Sequence, residues 1–109
     1  MMNIKLAKNT MRIRINRHEL TSLLSGESLS LTMAITPDKP FSIVVNAVET
    51  QDKNIELTTT PSRFVFTVLI SALLDLEKKL PTKTGIQDNW MDYAENVLIL
   101  ALEVDVKNR

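Results

Sequence analysis

Apolar side chains at Met11, Ile13 and Ile15 alternate with Arg12, Arg14 and Asn16, the period of two that sets one face of a β-strand against a core. Upstream, Ile4 and Leu6 fall on even positions where this strand uses odd ones. The phase therefore flips between Ala7 and Thr10, and a bulge or a separate short strand is needed there. Leu29, Leu31, Met33 and Ile35 alternate in the same way and predict another strand, stopped by Pro37 and Pro40. Phe41, Ile43, Val45 and Ala47 predict the next, and Ile55, Leu57 and Thr59 one more beyond the polar turn Gln51 to Asn54. Connections this short favour an antiparallel meander.

Between the first two of these strands the period changes. Asn16 is placed to cap a helix with its side-chain oxygen, and Glu19, three residues on, to return a bond to the cap's own N–H. Ile15 and Leu20 stand in hydrophobic-staple positions, Leu20, Leu23 and Leu24 form one stripe, and Gly26 suits the left-handed residue that ends a helix. The spacing predicts a helix over Arg17 to Ser25.

Phe64 to Leu80 admits two readings. Thr60 followed by Pro61 resembles a helix cap and first turn, but one long helix from there would be apolar nearly all round. Phe, Val, Thr and Ile suit a sheet better, so Phe64 to Ile70 is read as a strand. Ser71 then caps a second helix through Leu73, Leu76 and Leu80, with Asp75 early, Lys78 and Lys79 late, and Pro81 beyond. Leu80 to Tyr93 reads as a loop, and Leu98, Leu100, Leu102, Val104 and Val106 as a long closing strand. The expected fold is α+β: a mainly antiparallel sheet or open barrel of about six strands with two short helices, in the order β-α-β-β-β-β-α-β. No internal repeat, linker or low-complexity tract is visible.

The 109 residues suit a single domain spanning 1–109, and 44% hydrophobic with 24% charged residues indicates a folded chain. Thirteen basic and thirteen acidic side chains cancel, which argues against a general nucleic-acid or membrane-surface binder. Cysteine is absent, so disulfides and thiolate metal sites are excluded. Residues Met1 to Lys8 lack the apolar run of a signal peptide, and Phe64 to Leu74 is too short to cross a bilayer; the expected location is cytoplasmic.

Asn9-Thr10-Met11-Arg12-Ile13-Arg14-Ile15 with the following Glu19-Leu20, the Gly85-Ile86 pair, and the closing Glu103-Val104-Asp105-Val106 resemble an uncharacterised family of small bacterial proteins over nearly the whole chain. The chain departs from that pattern at Val106, where the family carries an aromatic residue. The family has no established activity, so the resemblance implies a β-rich small domain and assigns no catalytic residue.

Lys5, Lys8, Arg12, Arg14 and Arg17 all precede the first acidic residue, Glu19, and Arg12 and Arg14 share a strand face. Guanidinium groups at strand spacing suit phosphates. If the first and last strands are neighbours, however, Glu103 and Asp105 face those arginines and neutralise them. His18, the only histidine, has no metal or triad partner in sequence. Asp88, Asp92 and Glu95 crowd the expected loop but lack the density of a calcium site. In the same segment Trp90 and Tyr93 are of the kind that anchor protein interfaces. The two glycines, Gly26 and Gly85, cannot build a phosphate-cradling loop, and no cofactor or metal is implied.

Three functions fit, in descending order. The first is a non-enzymatic protein-binding or structural domain acting through a sheet edge, the Val65-Thr67-Leu69 face or the Trp90 loop, with a second copy or another protein as partner. The second is a phosphate or nucleic-acid binder using Arg12, Arg14 and Arg17. The third is a small enzyme using His18 or the loop carboxylates.

Overall fold

The computed structural model describes residues 2–82, 85–93 and 96–105. Ten elements follow one another: β1 (Asn3–Ala7), β2 (Thr10–Ile15), α1 (Arg17–Leu24), β3 (Leu29–Thr36), β4 (Lys39–Val48), β5 (Ile55–Thr60), β6 (Arg63–Leu69), α2 (Ile70–Lys79), β7 (Ile86–Tyr93) and β8 (Asn96–Val104). The α+β class holds, but the described residues form eight strands in two four-stranded sheets, ordered β1-β2-β8-β7 and β3-β4-β6-β5. The phase flip at Ala7 to Thr10 is a tight turn between two strands, with Leu6 opposite Met11 and Ala7 opposite Thr10.

Two expectations fail here. The segment Leu80 to Tyr93 is not one loop, because β7 occupies its second half. β7 is an edge strand with a register shift between Asn89 and Met91, and its Gln, Asp and Asn residues hide the alternation. The meander also fails. Each short turn does make an antiparallel hairpin, but the hairpins join through parallel pairs, β2 with β8 and β4 with β6. Alternation tells which side chains face the core and is silent on which strand lies alongside.

α1 follows its sequence signals closely. The Glu19 N–H donates to Asn16 Oδ1 at 2.7 Å and the Asn16 N–H donates to Glu19 Oε1 at 2.9 Å. Glu19 Oε2 also accepts from the Met2 N–H at 2.7 Å, tying the start of β1 to the helix. At the far end Gly26 has φ +96°, and the N–H groups of Gly26 and Glu27 return to the carbonyls of Leu23 and Ser22. α2 differs from expectation: β6 runs straight into it, the cap is Leu69 with no side-chain bond, and Ser71 is already inside the helix.

The arrangement of elements is duplicated, although no repeat is visible in the sequence. Residues 3–48 and 55–104 each form a hairpin, a helix and a second hairpin, and each sheet takes one hairpin from each half. Buried Met2, Ile13, Ile15, Leu20 and Leu23 correspond to buried Ile55, Phe66, Val68, Leu73 and Leu76, each 53 positions later, as from Leu20 to Leu73. The registers agree: Val45 lies beside Phe66 as Leu102 lies beside Ile13, and Leu29 faces Val45 as Ile86 faces Leu102. Even the turn bonds match, the Ser42 N–H donating to Ser62 O as the Ile99 N–H donates to Asn9 O. Only core size and phase are repeated, so the sequence itself shows no repeat.

One apolar cluster joins both sheets and both helices, with Phe66, Ile13, Leu20, Leu73 and Leu102 fully enclosed. Among the described residues no polar or charged side chain is buried. Fully burying side chains of this size contributes about 1.5–3 kcal/mol each.

Candidate functional site: the arginine strand and the sheet edges

β2 turns Ile13 and Ile15 into the core, which sends Arg12 and Arg14 to the outer face of its sheet. Its neighbour on one side is β8, in parallel register with Arg14 beside Glu103. The Glu103 carboxylate lies 3.1 Å from Arg12 Nε and 3.6 Å from Arg14 Nη2. The Met11 to Ile15 strand and the closing strand are therefore neighbours, and Glu103 takes both guanidiniums. Asp105 continues the same alignment, its N–H donating to Ile15 O at 2.7 Å.

The two arginine side chains stay 44% and 53% exposed, so each pair contributes about 0.2–1 kcal/mol. On the other side of β2, β1 sets Lys5 opposite Arg12 and Asn3 opposite Arg14. Together with Glu103 these residues line a hollow of about 80 Å³, three cations with one carboxylate among them. Arg17 stands apart from this row, exposed at the start of α1.

The other sequence candidates are scattered. His18 is exposed on α1, and among the described residues no group of His, Asp and Glu could hold a metal ion. Asp88 belongs to β7 and accepts the Asn54 N–H at 2.6 Å, a bond that ties β7 to the start of β5. The side chain of Asp92 and the residue Glu95 lie outside the described residues.

Trp90 is not on a loop. It is the extra residue at the register shift of β7, half-buried against the core. Tyr93 ends β7 opposite Asn96, and its side chain lies outside the described residues. On the Val65-Thr67-Leu69 face, where all three residues are half-buried, the chain itself engages Thr67: its Oγ donates to Gln51 Oε1 at 2.7 Å, and Gln51 Nε2 donates to Thr67 O at 2.9 Å.

What sequence reasoning did not single out is the difference between the two seams where the sheets' edges meet. β5 lies against β7, joined by the Asn54–Asp88 bond. The matching edges, β1 and β3, do not approach to that extent. Here Leu6 is 70% and Met33 50% exposed, although each continues a core-facing row, Ile4 to Leu6 and Leu29 to Met33. In β7 the place of Met33 is taken by Met91, which pairs with Leu98 as Met33 pairs with Phe41, and the extra residue Trp90 beside it packs against the core. The alternation marked Leu6 and Met33 as inward; only the open seam shows that the other described residues leave them largely uncovered.

No model of a known protein family matches the chain, and no curated protein matches it either.

Proposed function

We propose that the protein is a non-enzymatic binding or structural domain that recognises another polypeptide through its open seam. One observation carries this reading: Met33, an inward-phase residue on the edge strand β3, is half exposed beside a row of backbone donors and acceptors with which no described strand pairs. An edge of that kind adds a strand from a partner, main-chain bonds giving affinity and alternate side chains specificity. The single domain, the cytoplasmic location and the kinship with small bacterial proteins belong to the same proposal. Among the described residues no helix is long and apolar enough to cross a membrane.

A benzophenone amino acid in place of Met33 tests it in the producing cell. Irradiation is expected to yield one or a few protein adducts of defined mass, absent when the probe replaces exposed Glu27. Failure of position 33 to capture any protein contradicts the reading.

A second reading has its own observation, the hollow among Lys5, Arg12, Arg14 and Glu103, which suits a phosphate group. It ranks lower because Glu103 already engages both arginines. Retardation of single- or double-stranded oligonucleotides at low salt, lost as salt rises, would support it; unchanged mobility of both would remove it.

A further inference from the structure

The four sheet edges are not equivalent as surfaces for self-pairing. When two identical edge strands pair about a two-fold axis, the central residue meets its own copy and the contact must tolerate every side chain it doubles. Like charges directly opposite are destabilising. β1 carries Lys5, β5 carries Glu56 and β7 carries Asp88 and Asp92, whereas β3, Leu-Ser-Leu-Thr-Met-Ala-Ile-Thr, carries no charge. β5 and β7 also lie against each other.

Edge strands are ordinarily guarded by lysine, proline or a bulge within the strand. In β3 the register with β4 is regular from Leu29 to Ala34, and its one irregularity falls between Ala34 and Thr36, at the end. An uncharged six-residue edge in regular register is left beside the open seam.

Resting on the reading that the seam binds a polypeptide, we propose that the occupant is a second copy of this chain, paired antiparallel through β3 about a two-fold axis at Thr32. Residues directly opposite in an antiparallel pair share a face, so the axis passes through a residue and Thr32 meets Thr32. Leu31 of one copy then faces Met33 of the other on the inner side, covering the exposed methionine at both ends. Ser30 faces Ala34 on the outer side. The two four-stranded sheets β3-β4-β6-β5 become one sheet of eight strands.

Sedimentation of the full chain over a range of concentrations tests this, with Thr32→Lys, Thr32→Glu and, as a control on exposed α1, Thr21→Lys. Thr32 is exposed and its hydroxyl lies 3.1 Å from Ser42 Oγ on the neighbouring strand, so the substitutions are expected to leave the fold intact by circular dichroism. The wild type and Thr21→Lys are expected to reach twice the 12.3 kDa chain mass. Each Thr32 variant alone is expected to weaken association at least tenfold, and an equimolar mixture of the lysine and glutamate variants to restore it. A wild type that stays monomeric at millimolar concentration overturns the proposal, as does a dimer indifferent to both Thr32 variants. If the probe at position 33 captures a different protein, self-pairing fails and the binding reading survives; if it captures nothing, both fail.

Discussion

Removing the Glu103 carboxylate separates the two uses of the arginine strand at the scale of single residues. Glu103→Gln leaves Arg12 and Arg14 without that partner, but both are largely in water, so the folded state is expected to lose less than about 1 kcal/mol. Elution from a heparin column should move to higher salt, because guanidiniums held by Glu103 become available to sulfates. Gly85 is a different kind of residue. A Cβ there would collide with the Leu102 carbonyl oxygen, so the backbone of β8 would have to move. Gly85→Ala is expected to cost about 1–3 kcal/mol in urea unfolding, as overpacking does. At Gly26 nothing stands within 4 Å of an added Cβ, and only the φ of +96° opposes it, so Gly26→Ala should cost about 1–2 kcal/mol. A Gly85→Ala variant as stable as wild type would contradict the close approach of β7 and β8.

Helix ends give the sharpest comparison at the scale of elements. Asn16 and Glu19 exchange two bonds at α1, whereas α2 begins without a side-chain cap. Asn16→Ala is therefore expected to lower stability by about 1 kcal/mol, and Ser71→Ala to change it by less than about 0.5 kcal/mol, in matched denaturation curves. Equal losses would restore Ser71 as a cap. Both helices and most strands were legible in the sequence because their signals are local: a cap three residues from its partner, or an oily residue every second position. β7 was not legible, since an edge strand meets the core along one side and this one interrupts its own pattern at Trp90. The facing of Arg12 and Arg14 by Glu103 was legible only as a condition on strand order. That condition is set by pairing between residues some ninety positions apart, which no local pattern encodes.

The interleaving of the two halves governs behaviour at the scale of the whole molecule. Because each sheet takes a hairpin from either half, neither half can complete a sheet alone. Fragments 2–50 and 51–105, divided in the exposed turn after β4, are expected to be unfolded separately and to recover the native circular dichroism when mixed. Independent folding of either fragment would contradict the exchanged hairpins. The same duplication makes the seams comparable. The one between β5 and β7 is closed by the chain's own residues, while the one beside β1 and β3 leaves Leu6 and Met33 uncovered. The candidate surface was therefore the least legible feature: Leu6 and Met33 have core-like spacing, and their exposure follows from how far apart two edges finish.

Hydrogen–deuterium exchange read strand by strand at low and high protein concentration tests that asymmetry most directly. The amides of β5 and β7 should be protected at both concentrations, and those of β3 should gain protection as concentration rises. Exchange in β3 that is the same at every concentration, or protection of β3 already complete in the dilute monomer, would contradict an open seam awaiting a second copy.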